Sequence, residues 1–108
     1  GFNGKIWCTP PTKDLAALLL DDSAEIQESD VAYSNKRRKA NGEPLLQPLY
    51  TKDDVVRAIQ RFAAVEYNQW TTIMEGVSLQ FTDAGHIIGS ACVHLRITEN
   101  GTTRQLTF

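Results

Sequence analysis

Val77-Ser78-Leu79-Gln80-Phe81-Thr82-Asp83 alternates apolar and polar side chains, and Ala91-Cys92-Val93-His94-Leu95-Arg96-Ile97 repeats the pattern a few residues later. A period of two sends successive side chains to opposite faces of a strand. Val77, Leu79 and Phe81 therefore share one buried face, as do Ala91, Val93, Leu95 and Ile97. Asn100-Gly101 follows, with Leu106 and Phe108 beyond it. Asn-Gly is the preferred centre of a type I′ turn, so the last stretch reads as a β-hairpin.

Working back toward the start, the period lengthens. Thr51-Lys52-Asp53-Asp54 reads as a helix cap, with Thr51 as N-cap and acidic residues in the positively polarised first turn. Val55, Val56, Ile59 and Phe62 carry the apolar face of that helix. Before it, Lys36-Arg37-Arg38-Lys39-Ala40-Asn41-Gly42-Glu43-Pro44 reads as a polar loop. Lys5-Ile6-Trp7-Cys8-Thr9 reads as a short buried strand, and Thr9-Pro10-Pro11-Thr12 as a helix start in which either threonine caps. Leu15, Leu18 and Leu19 mark one face of that helix. Asp21-Asp22-Ser23 interrupts it or begins a second segment, and Ile26 and Tyr33 continue it to about Arg37. The predicted class is α/β, a mixed sheet with helices on one face.

At 108 residues the chain is one domain or part of one, and 42 % hydrophobic with 22 % charged residues is a globular composition. A net charge of −2 gives no overall positive field toward nucleic acid or anionic membrane. Cys8 and Cys92, each inside an apolar run, are too few for a disulfide framework and read as buried free thiols of a reducing, cytoplasmic setting. There is no initiator Met and the chain stops at Leu106-Thr107-Phe108, so both ends are expected to be internal to a longer protein. No leader, membrane-length apolar run or lipidation motif is expected.

The chemistry concentrates in Asp83-Ala84-Gly85-His86-Ile87-Ile88-Gly89-Ser90-Ala91. A histidine bracketed by glycines at a strand end is a way to aim an imidazole into a site, although such a residue is more often a structural hydrogen-bonder. Asp83 and Ser90 could orient the ring or satisfy the loop backbone. Elsewhere the bland readings prevail. Lys36-Arg37-Arg38-Lys39 could contact phosphate, but with no interleaved aromatic residue it reads as solvated. His94, opposite in face to Val93 and Leu95, is expected to be exposed and not a ligand. Trp7 reads as core, Trp70 as core or loop anchor, and Glu25, Glu28 and Asp30 as helix surface.

Ala84-Gly85-His86-Ile87-Ile88-Gly89-Ser90-Ala91 resembles the third metal-binding motif of metallo-β-lactamase-fold nucleases of the β-CASP branch, that of the mRNA 3′-end-processing endonuclease and its bacterial and archaeal relatives. The run from Gly4 to Ala16, that from Asp22 to Glu28, and Pro48-Leu49-Tyr50-Thr51-Lys52-Asp53-Asp54-Val55 are similar as well, in the same order. The resemblance implies that residues 1–108 are a single fragment of the metallo-β-lactamase domain, about half of an αββα sandwich, lying between a His-x-His-x-Asp-His cluster and a Ser-Gly-Asp motif. It implies an intact parent that hydrolyses RNA phosphodiesters with two zinc ions about 3.5–4 Å apart. His86 is then a metal ligand, with Asp83 or a backbone carbonyl fixing its tautomer. A catalytic zinc usually takes three or more protein ligands, so the fragment alone is expected to bind zinc weakly or not at all and to be inactive. The implied partners are RNA and the rest of the parent chain, with no membrane. Apolar surface or a strand edge left uncovered is expected to cause self-association. A non-catalytic scaffold relative, or a hydrolase of the same fold acting on another substrate, are the competing readings.

Overall fold

The alternating runs form the strands expected of them. The computed structural model describes residues 2–108, with β1 (Ile6–Cys8), α1 (Pro10–Ala40), α2 (Lys52–Ile59), β2 (Phe62–Ala64), β3 (Thr71–Met74), β4 (Val77–Asp83), β5 (Ala91–Glu99) and β6 (Thr102–Thr107). The chain is α/β, with both parallel and antiparallel pairing. It divides into two units, Gly1–Asp14 with Phe62–Phe108, and Leu15–Arg61.

In the first unit β3-β4-β5-β6 form an antiparallel sheet in chain order. The β4–β5 register runs from Val77 opposite Ile97 to Asp83 opposite Ala91, so Leu79 faces Leu95 and Phe81 faces Val93. Val65, Leu79 and Phe81 are the buried centre, with Trp7, Tyr67, Ile73, Ala91, Val93 and Leu95 packed around them. Asn100 (φ 50°) and Gly101 (φ 74°) make the β5–β6 turn, the two positive angles that a type I′ turn requires. β1 pairs in parallel with β2. Beyond β2, the Val65 N–H donates to the Cys8 carbonyl at 2.9 Å, and Tyr67 forms a parallel bridge with Phe81, carrying the chain onto the larger sheet. Cys8 is buried and Cys92 half-buried, and both are free thiols. Burial raises the Cys8 pKa, Lys13 opposing weakly.

Phe62 opens β2 instead of closing the helical face predicted for it. With three and four residues, β2 and β3 are too short for alternation to declare itself. His94 is not exposed. Half-buried, its Nε2 lies 2.9 Å from Thr82 Oγ1 on β4 and its Nδ1 2.9 Å from Thr107 Oγ1 on β6. Trp70 is the loop anchor, with the Arg96 guanidinium 3.8 Å above its ring centroid.

In the second unit, α1 runs uninterrupted through Asp21-Asp22-Ser23. These residues are weak helix formers, not breakers, and cost only tenths of a kcal/mol each. The helix also continues past Arg37, placing the basic run in its last turn. There, basic side chains complement the negative end of the helix dipole. It ends where Gly42 takes φ 69°, with Glu43 N–H donating to Arg38 O (2.9 Å) and Gly42 N–H to Lys39 O (3.3 Å), a Schellman closure. The leucines predicted as its buried face are the more exposed ones, Leu18 at 67 %. The covered stripe instead mixes apolar and polar side chains, through Leu20, Ala24, Gln27, Val31 and Ser34. Polar pairs tie the following segment along the helix. The Asn35 amide bonds both the N–H and C=O of Leu46 (2.8 and 2.9 Å), Tyr50 O–H donates to Ser23 Oγ (2.7 Å), and Lys52 Nζ to Glu25 Oε2 (2.8 Å). Hydrogen bonding to Lys52 lowers the Glu25 pKa. Among the described residues no helix is long and apolar enough to cross a membrane.

The expected cap of α2 is present in full. Thr51 Oγ1 accepts from Asp54 N–H (3.3 Å) and Asp54 Oδ2 from Thr51 N–H (2.9 Å). Thr51→Ala should cost about 1 kcal/mol in urea unfolding. The Thr51 N–H, with Arg57 assisting, holds Asp54 at about 2 against an ordinary 3.8. A depressed folded pKa means that this stabilisation is present above pH 3.8 and lost as pH falls toward 2. Acid titration followed by circular dichroism should therefore show a helicity loss in that window, and Asp54→Asn should flatten it.

Candidate functional site

The Asp83–Ala91 rung closes residues 84–90 into a loop between β4 and β5. Two local devices shape it. Asp83 Oδ1 accepts the Gly85 N–H at 2.8 Å, turning the chain as it leaves β4 with Gly85 at φ 65°. Ser90 N–H donates to Ile87 O at 2.9 Å, with Gly89 at φ 92°. Positive φ is strained for side chains with a Cβ, so both turns need the glycines they have.

The base of the loop is then fastened from outside. Thr9, only 2 % exposed, and Thr12 both point their hydroxyls at the Gly89 carbonyl, at 2.8 and 3.0 Å. The two hydroxyl oxygens are 2.8 Å apart, and Thr9 Oγ1 also accepts the Thr12 N–H at 3.4 Å, which makes Thr9 the N-cap of α1. Tyr67 O–H donates to Ser90 O at 3.2 Å. A Cβ on Gly89 would lie 2.6 Å from Thr12 Oγ1 and 3.1 Å from Thr12 N. The loop foot thus sits against the first turn of α1 at a distance only glycine permits.

Above this fixed base the tip is open. His86 is exposed, and Ile87 and Ile88 are 66 % and 82 % exposed. The loop rims an open concavity of about 560 Å³, lined also by Pro11, Tyr67 and Asn68. His86 is therefore presented at the mouth of a depression, as a glycine-bracketed strand end suggests. Asp83 lines the same concavity, but its visible work is on the Gly85 N–H. Ser90 Oγ is buried without a hydrogen-bond partner. Among the described residues no three His, Cys, Asp or Glu side chains converge on a point that could hold a metal ion. One imidazole and a carboxylate already engaged by the backbone are fewer than the three or more protein ligands of a catalytic zinc. The donor set of this chain does not fit a zinc centre by itself.

Sequence reasoning missed the fastening. Thr9 and Thr12 were legible only as helix caps, and nothing in Gly89 announced a carbonyl with two donors. Tyr67 and Asn68, the latter at φ 62° with its N–H on Phe81 O (2.8 Å), carried no pattern at all.

No family model matches the chain. Among the curated proteins it resembles are transcription termination factors. Proteins named transcription termination factor FttA from Pyrococcus abyssi and Pyrococcus horikoshii are each 38 % identical to it over 96 residues, 89 % of this chain. The one from Methanocaldococcus jannaschii is 32 % identical over 99 residues, 92 % of this chain. The chain spans 13 % of the length of each.

The two loop glycines should respond differently to alanine. Gly85 has open space where a Cβ would go, so Gly85→Ala should cost only the positive-φ strain, about 1 kcal/mol. Gly89→Ala adds the Thr12 clash and should cost about 3 kcal/mol, since strain and overpacking each contribute. Urea denaturation of the two variants measures the difference.

Proposed function

We propose that this chain is the part of a zinc-dependent, RNA-processing nuclease that positions one metal ligand, His86, and that the intact protein cleaves phosphodiester bonds, as the motif resemblance implies. The observation that carries the reading is an exposed imidazole at the rim of a concavity, on a loop whose base is fastened at Gly89 while its tip is left free of structural duties. A histidine needed only for the fold would be tied into it, as His94 is. The similarity to proteins named as transcription termination factors supports an RNA-linked role in a cytoplasmic setting.

Zinc, when bound by the full ligand set, would supply a water activated near neutral pH and neutralise charge on the phosphate. This chain's own contribution is narrower. Thr9, Thr12 and Tyr67 hold the foot of the loop, Asp83 shapes its entry, and His86 presents a ring nitrogen. The ligands that complete the site belong to other segments of the parent.

Replacing His86 with Ala in the parent should lower turnover by orders of magnitude and reduce zinc content, while the metal-free melting temperature stays put because the ring is exposed. His94→Ala should behave oppositely, losing stability through its two threonine contacts but keeping turnover. Full activity and full zinc in the His86 variant would overturn the assignment. For the 108-residue chain alone, calorimetric titration should find zinc binding weak or undetectable. Stoichiometric micromolar binding that disappears with His86→Ala would mean that further ligands lie within this chain.

The same reading accounts for Leu18, Ile88 and the wholly exposed β6, which further layers of a larger domain would cover. Sedimentation velocity should show self-association that grows with concentration. A strict monomer at high concentration would count against a partial core.

A further inference from the structure

The continuation of α1 to Ala40 changes what the basic run is. As a loop it lacked an aromatic neighbour. On a helix, Tyr33 lies three and four residues before Lys36 and Arg37, so all three occupy one face. Tyr33 is 79 % exposed, with no core to serve. Lys36, Arg37 and Lys39 are exposed, and among the described residues none of them has an ion-pair partner. Arg38 differs, since its guanidinium bonds Glu43 at 3.1 Å and the Pro44 carbonyl at 2.6 Å. Those contacts, with Asn41 Nδ2 on Glu43 Oε1 at 3.1 Å, occupy the Glu43 carboxylate. Tyr33, Ser34, Arg37 and Arg38 border an open hollow of about 310 Å³.

From this we infer that the C-terminal third of α1 is a contact site for single-stranded nucleic acid, with Tyr33 stacking a base and Lys36, Arg37 and Lys39 meeting the phosphates on either side. Base stacking on an exposed aromatic ring beside free cations is how single strands are held without sequence readout. A duplex hides its base faces and fits less well. An acidic peptide matches the charge but has no use for the ring. The site lies within the second unit and needs no metal, so it stands or falls independently of the role proposed for His86.

The test is fluorescence anisotropy of a short labelled oligouridylate with the 108-residue chain in EDTA, across ~50–200 mM salt. Three neutralised phosphates should give log K a slope of about −2 against log salt, at about −0.7 each for single strands. Arg37→Gln or Lys36→Gln should flatten that slope by about one phosphate's share. Tyr33→Leu should weaken binding at fixed salt by about fivefold or more and leave the slope unchanged. All three replacements are good helix formers at exposed positions, and unchanged circular dichroism confirms that the helix survives. Three results would each overturn the inference: no salt-dependent binding, a duplex of equal length binding as tightly, or polyglutamate competing equally while Tyr33→Leu has no effect. The last would reassign the patch to acidic polypeptides.

Discussion

Two threonine hydroxyls on one carbonyl hold the His86 loop to the rest of its unit. Gly89 O has two lone pairs, and Thr9 and Thr12, one turn apart at the head of α1, meet both. Thr9 is buried, so this is a protected interaction and not one that water readily replaces. It joins residues 80 positions apart in sequence. β1 feeds Thr9, β1 is placed by β2, and β2 runs on to the bridge between Tyr67 and Phe81, whose strand delivers the loop. The path from sheet to loop and back is therefore closed, and His86 rides on a rigid ring of backbone with only its own short tip free.

The division of labour follows from that closure. Residues that make the loop's shape (Asp83, Gly85, Gly89) are distinct from those that anchor it (Thr9, Thr12, Tyr67), and neither set includes His86. An imidazole relieved of structural work is free to accept a ligand without unfolding anything when it moves. His94 shows the opposite arrangement on the neighbouring strand, where both ring nitrogens are spent on threonines. Two histidines eight residues apart, one in the loop of the β4–β5 hairpin and one within β5, are thus separated by what their nitrogens have left to offer.

Much of this was legible in the sequence, for identifiable reasons. β4 and β5 are long enough for alternation to repeat several times, and Asn100-Gly101 states its turn type outright. The Thr51–Asp54 box is local, so sequence distance and spatial distance coincide. The failures are non-local or polar. α1 has no clean apolar stripe on its covered side, which mixes Leu20, Ala24 and Val31 with serine and glutamine, so Leu15, Leu18 and Leu19 pointed to the wrong face. Its end depended on Gly42 taking a left-handed angle, which the basic run just before it concealed. β2 and β3 owe their existence to partners supplied by β1 and β4. The Thr9–Gly89 contact involves a backbone oxygen, which no side-chain pattern can display.

One feature of the antiparallel sheet also decides how it can and cannot misassemble. His94 reaches across β5 to hydroxyls on both neighbouring strands, and β6 has no buried side chain to fix its position. If β6 slid one residue either way, Leu106 or Phe108 would stand opposite His94 in place of Thr107, and a ring nitrogen would face hydrocarbon. The imidazole thus works as a detent at the far end of the hairpin, adding to the Thr98–Thr103 and Arg96–Gln105 pairs and to the tight turn at Asn100-Gly101. Together they let a strand made almost entirely of solvated side chains click into a single alignment, where hydrophobic burial alone would leave it free to slide.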